Sequence, residues 1–352
     1  MIDLRSDTVT LPTPEMREAI SRAELGDDVY GEDPTVNRLE AIAADAMGKE
    51  SALLVASGTM GNLVAMLAHC ARGTKAVLGA RAHTYLYEAG GAAALGGVVL
   101  TPIRNTDDGE LDLDELEAEL ATPADPHFAP HALVASENTH NRCGGAAVGV
   151  AHMAAVADAA HRRSLPVHLD GARIFNAAIA LETTPREIAG YADTVSFCLS
   201  KGLACPVGSL LCGPRSFIER ARRVRKMLGG GMRQAGIIAA AGIVALGTMV
   251  DRLAEDHDNA RALAEGLGRS EGLRVHPARR RTNMVFFDVA GGEERARRFA
   301  EALKERGVLV GGRTPTEFRA VTHYGVNAAD IGRAVVAASE AAEASIANGA
   351  RK

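Results

Sequence analysis

Short apolar runs alternate with helical patterns of apolar and polar positions along most of the chain. Residues 58–70 and 150–163 carry apolar residues at the three- and four-residue spacing of a helix. Continuous apolar runs of strand length lie at residues 51–56, 131–136, 165–170, 194–199 and 209–212. Strands that alternate with helices predict βαβ units, and therefore an α/β fold whose mainly parallel sheet is flanked by helices.

The pattern changes after about residue 255. A charged helix that reaches Gly266 is followed by strands and helices in a mixed order, at residues 273–275, 284–289, 293–306, 318–322 and 327–348. This order predicts a smaller α+β domain. We therefore divide the chain into a large domain of residues 1–255 and a small C-terminal domain of residues 256–352.

Composition narrows the class of protein. Hydrophobic residues make up 47% and charged residues 24% of the 352 positions, which is typical of a compact globular protein rather than a disordered one. The formal net charge of -5 argues against nucleic acid as a partner. The uncharged segment 235–250 is shorter than the roughly 20 apolar residues of a membrane span and predicts a buried helix. Charges within the first seven residues differ from a secretory signal, so we expect a cytoplasmic protein.

Neither the cysteines nor the basic runs of the sequence indicate a function. The five cysteines form no C-x-x-C pair, so the sequence predicts neither a disulfide framework nor a zinc site. The basic run 220–226 has no interleaved aromatic residues, and we interpret it as a solvated face, an intersubunit contact or a phosphate partner. We interpret Arg279–Arg281 as a surface turn.

Three segments carry residues that suit a single cofactor. Ser57–Asn62 follows a predicted strand and opens a helix, where backbone N–H groups can bind a phosphate. Asp170 ends another predicted strand, at the position where ligands of open α/β sheets bind. Lys201 follows the next strand in apolar surroundings, which favour the neutral amine that a Schiff base needs. Phosphate, ring nitrogen and aldehyde are the three groups by which proteins hold pyridoxal 5'-phosphate, so we predict that cofactor.

The motifs around these residues resemble those of the L-threonine aldolases, which are pyridoxal-phosphate enzymes of the aspartate-aminotransferase-like fold. The resemblance covers nearly the whole chain. It is carried by Asp3–Thr10, Gly26–Thr35, Ser57–Asn62, His83–Gly91, Glu137–Asn141, His168–Arg173, Ser200–Gly202, Gly229–Gln234 and Arg319–His323.

The resemblance implies a role for each matching residue. Lys201 binds the cofactor aldehyde, Asp170 keeps the pyridine nitrogen protonated, and His83 stacks on the ring. Phosphate contacts come from Ser57, Gly58 and Thr59, with Arg233 reaching in from a neighbouring subunit. Ser6 of the N-terminal segment 1–35, Arg173 and Arg319 hold the substrate carboxylate. Arg173 also contacts the cofactor.

The substrate hydroxyl and a structural cation complete what the resemblance implies. His127 matches a histidine near the substrate hydroxyl, and His83, His127 or a water takes the hydroxyl proton. Thr8, Thr10 and Ser196 resemble positions that lie near a structural cation, but hydroxyls alone do not predict a metal site.

The implied activity is cleavage of L-threonine or L-allo-threonine to glycine and acetaldehyde. This activity makes the chain a carbon–carbon lyase of amino-acid metabolism that breaks down threonine and forms glycine. A homo-oligomer, dimer or tetramer, with shared active sites is expected. Two alternatives stay open: another reaction on the same cofactor, such as β-elimination or racemisation, and a non-catalytic module that binds phosphate or nucleotide through the Ser57 loop.

Overall fold

The computed structural model describes residues 1–123, 125–277 and 282–347. Within these ranges the chain forms twelve strands and fourteen α-helices. The strands are β1 (Ile2–Leu4), β2 (Ser51–Val55), β3 (Lys75–Gly79), β4 (Val99–Ile103), β5 (His131–Glu137), β6 (Val167–Asp170), β7 (Thr194–Cys198), β8 (Ser209–Gly213), β9 (Leu273–Val275), β10 (Met284–Val289), β11 (Val308–Gly312) and β12 (Glu317–Val321).

The helices fill the segments between the strands. They are α1 (Pro14–Ser21), α2 (Pro34–Met47), α3 (Gly58–His69), α4 (His83–Leu86), α5 (Gly91–Gly96), α6 (Leu113–Leu120), α7 (Val150–His161), α8 (Ile174–Ala180), α9 (Pro185–Ala189), α10 (Arg215–Met227), α11 (Gly236–Thr248), α12 (Leu253–Leu267), α13 (Glu293–Glu305) and α14 (Ala328–Ala347). Predicted elements at Arg279–Arg281 and beyond residue 347 lie outside the described residues.

Seven strands form the larger sheet in the order β2-β8-β7-β6-β5-β3-β4. β8 runs opposite to the other six strands of this sheet, which are all parallel to one another. β6 and β7 are buried along their whole length, as expected for parallel strands with helices on both faces. The predicted α/β fold with a mainly parallel sheet is therefore confirmed.

A second sheet of five strands has the order β1-β11-β12-β10-β9. Its core includes three aromatic side chains whose ring centroids lie 5.7–6.1 Å apart, Phe287, Phe299 and Phe318. β1 pairs in parallel with β11, so the N-terminus of the chain joins the sheet built by the C-terminal third. The segment that follows β1, including Ser6 and Asp7, is thereby held beside the larger sheet.

The uncharged segment that predicts a buried helix forms α11, which packs against α1 and α2. None of the described helices combines the length and the apolar composition of a membrane span. α11 and α12 reach the length and apolar composition of a span only when taken together, and the two helices meet at a bend of 71°.

The basic run 220–226 lies on α10 and is not simply a solvated face. Arg225 is buried and donates to Asp28 Oδ2 (2.6 Å) and to the Leu54 carbonyl (2.7 Å). Arg222 pairs with Glu40 (2.9 Å). These contacts tie the 27–33 loop to the larger sheet, which gives the basic run a structural role.

Candidate active site

The carboxyl ends of the parallel strands bring the predicted cofactor residues together. The strand pairing sets Glu137 of β5 beside Asp170 of β6, and Asp170 beside Ser196 of β7. Lys201 follows β7 by three residues, and α3 begins at Gly58 on the same edge, where a Cβ atom would lie 2.7 Å from Cys198 Sγ. We call this the carboxyl edge of the larger sheet.

Asp170 is buried at this edge and its carboxylate is fixed by an amide. Asp170 Oδ2 accepts a hydrogen bond from Asn62 Nδ2 (2.9 Å), and Oδ1 accepts one from the backbone N–H of Ala172 (3.1 Å). The same Asn62 nitrogen donates to Glu88 Oε1 (2.8 Å). Asn62 Oδ1 accepts from the Ser196 hydroxyl (2.7 Å), which the resemblance places near a cation. Asn62 therefore sets the orientation of both acids.

His83 lies on α4 next to these acids. Its backbone N–H donates to Glu137 Oε2 (2.6 Å), and its Nδ1 lies 2.9 Å from Glu88 Oε1. Burial alone would lower the pKa of His83, but the hydrogen bond with Glu88 and the charge of Asp170 raise it above its ordinary value. Burial raises the pKa of Glu88 as well. The polar atoms of His83, Glu88 and Asp170 lie within 4.8 Å of one another, so by distance they could hold a cation, although Asn62 already binds both acids.

The start of α3 offers donors for a phosphate. Ser57 caps the helix by accepting a hydrogen bond from the Met60 N–H (3.1 Å). The N–H groups of Gly58 and Thr59 have no acceptor among the described residues, and they lie at the positive end of a 12-residue helix. Because Gly58 has no Cβ, the backbone can approach Cys198 closely. These features fit a bound phosphate group.

Lys201 follows β7 and lies near enough to His83 and to Asp7 of the N-terminal segment for its charge to act on both. Its charge acts to lower the pKa values of both His83 and Asp7. In the described ranges its ammonium group forms no hydrogen bond or ion pair with another side chain. An unengaged amine at this position fits covalent bonding to a cofactor aldehyde.

Arg173 forms an ion pair with an acid of the chain itself, although the resemblance assigns it to the substrate carboxylate. It precedes α8, and its Nε and Nη2 donate to the two carboxylate oxygens of Asp7, both at 2.6 Å. Both side chains are buried. Burial alone would raise the pKa of Asp7, but the charge and hydrogen bonds of Arg173 hold it well below its usual range. The Arg173 charge is therefore already compensated within the chain.

Arg319 of β12 forms no ion pair with an acid in the described ranges. Its Nη1 donates to Asn141 Oδ1 (2.6 Å) and its Nη2 to the Arg5 carbonyl (3.1 Å). Its Nε is buried without an acceptor in the part of the chain that the structure describes. Burial and the neighbouring charge of Arg173 lower the pKa of Arg319 to about 10. A carboxylate ligand would compensate this buried charge.

Ser6 lies next to Asp7 and partly exposed. Its hydroxyl accepts hydrogen bonds from the Thr8 N–H (3.3 Å) and the Thr8 hydroxyl (3.0 Å). The structure thus brings Ser6, Arg173 and Arg319 to one side of the site, where they lie around Asp7.

Two predicted site residues do not reach the site within this chain. His127 is exposed in the loop before β5, at the amino ends of the strands, and its Nδ1 lies 2.6 Å from Asp125 Oδ1. The length of β5, about 20 Å, separates that loop from the carboxyl edge. Arg233 is half-exposed and pairs with Asp27 (3.0 Å). Roles for these two residues would require another subunit.

Comparisons with known proteins identify the family. The model of the beta-eliminating lyase family matches residues 3–290. The low-specificity L-threonine aldolase of Escherichia coli K12 is 50% identical over 327 residues, which cover 93% of this chain and 95% of that protein. Low-specificity L-threonine aldolase 1 of Arabidopsis thaliana is 45% identical over 333 residues, 94% of this chain and 93% of that one. The chain belongs to the beta-eliminating lyase family, among the low-specificity L-threonine aldolases.

Solved structures agree with this aldolase family at the level of the fold. A threonine aldolase of Leishmania major, 20% identical, superposes with a TM-score of 0.81 and covers 97% of this chain and 100% of that one. A serine palmitoyltransferase of Sphingomonas wittichii, 17% identical, superposes with a TM-score of 0.79 and covers 98% and 88%. The resemblance stated from the motifs is confirmed.

Several residues of this aldolase site were not singled out by the sequence. Asp7, Asn62, Glu88, Glu137 and Asn141 all lie inside the motifs that carry the family resemblance, but no role followed from their positions. Their place inside these motifs was the signal by which they could have been found. Arg313, which donates to the hydroxyl of Tyr87 beside His83, had no such signal, since it lies in the turn between β11 and β12 outside every quoted motif.

Proposed function

We propose that this chain is a pyridoxal-phosphate-dependent aldolase that cleaves L-threonine and L-allo-threonine to glycine and acetaldehyde. The observation that carries the proposal is the convergence of an unengaged lysine, a fixed carboxylate and a phosphate-binding helix start at one sheet edge. The names of relatives 45–50% identical to this chain support it.

Residues at the carboxyl edge would hold the cofactor. Lys201 would bond its aldehyde carbon, Asp170 would pair with its ring nitrogen, and the N–H groups of Gly58 and Thr59 would bind its phosphate. When bound, pyridoxal phosphate supplies an electron sink for the pair of electrons left on Cα. Solved structures with this fold are described as serine palmitoyltransferase with PLP, which supports the same choice.

The carboxylate side would orient the substrate. Arg319 has donor capacity that the chain leaves unused, and Ser6 lies beside it. Holding the α-carboxylate here fixes the rotation about the N–Cα bond of the substrate. That rotation decides which bond of Cα is broken. Arg173, paired with Asp7, would hold the N-terminal segment in place and add a second donor.

A histidine would accept the proton of the substrate hydroxyl. The Nε2 of His83 has no partner among the described residues and is not buried, while its Nδ1 is held by Glu88. His83 would therefore act from its own subunit. His127 and Arg233 would act from another copy in a homo-oligomer with shared active sites, a dimer or tetramer.

The test combines absorbance with product analysis. We expect the purified protein, supplied with pyridoxal phosphate, to absorb visible light and to release acetaldehyde and glycine from L-threonine. Lys201→Ala should lower acetaldehyde release by at least about a thousandfold, whereas the exposed Lys304→Ala should match the wild type. Ammonia and a keto acid would instead indicate β-elimination. A protein that takes up no cofactor would overturn the proposal.

A further inference from the structure

A second arginine lies beside Arg319 on the same face of the smaller sheet. β11 and β12 form a hairpin in which Gly311 pairs with Arg319, and the Arg313 N–H donates to the Glu317 carbonyl (2.8 Å). Side chains on a strand alternate between the two faces, so Glu317 and Arg319 share a face, and Arg313 opposite Glu317 shares it as well. The charge of Arg313 also acts on the pKa of Arg319.

Tyr87 contacts both Arg313 and His83. The Nη2 of Arg313 donates to the Tyr87 hydroxyl (3.3 Å), and its guanidinium carbon lies 5.6 Å from the centroid of the Tyr87 ring. The Tyr87 ring lies 5.5 Å from the ring of His83, centroid to centroid. Under the proposed function His83 accepts the proton of the β-hydroxyl, so Arg313 lies on the side of the site that receives the β-substituent.

The positive charges of Arg319 and Arg313 on this side of the site are more than one substrate carboxylate can balance. Arg173 is compensated by Asp7, but neither Arg319 nor Arg313 forms an ion pair within the described ranges. Glu317 is turned toward His276, 3.8 Å away. Arg313 Nη1 is unpartnered there and open, and its Nε is buried without an acceptor. An α-carboxylate on Arg319 leaves the Arg313 charge unbalanced.

We propose that the site accepts β-hydroxy-α-amino dicarboxylic acids, with Arg313 binding the carboxylate of the β-substituent. The simplest such substrate is 3-hydroxyaspartate. Its Cα–Cβ bond breaks, the electron pair stays on Cα and takes up a proton, and the hydroxyl loses its proton to leave glycine and glyoxylate. No oxidant is required. This inference rests on the proposed aldolase function and names a substrate class for the same site.

Specificity constants test the inference. For each diastereomer of 3-hydroxyaspartate and for L-threonine, kcat/KM is measured in the holoenzyme. Loss of a charge-assisted contact in Arg313→Met should lower kcat/KM for 3-hydroxyaspartate by about 10- to 100-fold, and that for threonine far less. Arg313→Lys should recover part of the loss. Arg306→Gln, which removes one exposed charge on the same domain, should not change the ratio of the two constants.

Equilibrium binding gives a second measure that needs no turnover. Malate is 3-hydroxyaspartate without its amine, and 3-hydroxybutyrate is threonine without its amine, so neither can bond to the cofactor. Calorimetry should show malate bound about tenfold or more tightly than 3-hydroxybutyrate in the wild type, and equally in Arg313→Met. Equal binding in the wild type would overturn the inference.

The two proposals fail differently. If threonine is cleaved but Arg313→Met leaves the ratio of the two specificity constants unchanged, the dicarboxylate inference is wrong and the aldolase function stands. If no acetaldehyde is released and no cofactor is bound, the aldolase function itself is wrong.

Discussion

The acids on the cofactor side of the candidate site and the arginines on its carboxylate side differ in how completely the chain satisfies their hydrogen-bonding groups. On the cofactor side, formed by Asn62, His83, Glu88 and Asp170, each acid accepts hydrogen bonds from named neighbours. On the carboxylate side, formed by Ser6, Asp7, Arg173, Arg313 and Arg319, donors outnumber acceptors. Two buried Nε atoms there have no partner in the described chain.

This difference indicates that the acids of the cofactor side are oriented before a ligand binds, whereas the arginines of the carboxylate side are completed by their ligand. A buried donor without a partner costs about 1–3 kcal/mol, and a carboxylate ligand would remove part of that cost. The acids of the cofactor side gain nothing similar, because Asn62 already orients them. Changes on the carboxylate side should therefore alter substrate affinity, and changes on the cofactor side should alter cofactor affinity or proton transfer.

The largest expected effect concerns the one pair on the carboxylate side that is already complete. Asp7→Asn leaves the buried Arg173 charge uncompensated, so the free energy of unfolding should fall by about 3–5 kcal/mol in urea at neutral pH. The pKa of Asp7 is lowered in the folded chain, so its contribution is present above the ordinary aspartate value of about 4 and is lost as the pH falls below it.

The control for Asp7→Asn is Asp45→Asn, whose ion pair with Arg186 is exposed. Exposed pairs contribute about 0–1 kcal/mol. Equal losses of stability in the two variants would show that the Asp7–Arg173 pair is not a rigid part of the carboxylate side.

Arg319→Met should have the next largest effect. Removal of a charged donor set should lower kcat/KM for L-threonine by about 10- to 150-fold, mainly through a higher KM. Cofactor absorbance should persist, because the hydrogen bonds of Arg319 go to Asn141 and Arg5 and not to Asp170, Lys201 or the start of α3. Loss of cofactor binding in this variant would break the division into two sides.

Much of this arrangement follows from local sequence, and the missing parts are contacts between distant segments. Asp170 and Lys201 follow buried apolar runs, so their positions at strand ends were predictable from pattern alone. The Asp7–Arg173 pair joins residues 166 positions apart, and no local pattern encodes it. β1 spans three residues, which is too short for an apolar pattern to predict, and its pairing with β11 joins segments about 300 positions apart.

His127 shows the same limit in another form. Its motif match carried no information about which edge of the sheet the loop before β5 occupies. The direction of β5 decides that, and it places His127 at the edge opposite Asp170. Its predicted role near the substrate hydroxyl stays a prediction that needs a second subunit.

Gly58→Ala tests the cofactor side with a smaller effect. The added Cβ would lie 2.7 Å from Cys198 Sγ, so the start of α3 must shift, at a cost of about 1–3 kcal/mol in unfolding free energy and a weaker affinity for pyridoxal phosphate. Cys198→Ala in the same chain should restore both. Gly247→Ala, where a Cβ meets nothing within 4 Å, is the matched control. Failure of the double variant to recover would mean that the close approach is not what Gly58 provides.

Glu88→Gln should give the smallest effect, a displacement of the pH profile. The charge of Glu88 helps to raise the pKa of His83, so removing that charge lowers it. If neutral His83 accepts the hydroxyl proton, the acidic limb of kcat/KM moves to lower pH. Glu301→Gln, an exposed change on α13, should leave the limb in place. If the acidic limb of kcat/KM does not move in Glu88→Gln, a group other than His83 accepts the hydroxyl proton. His83 would then only position other groups on the cofactor side.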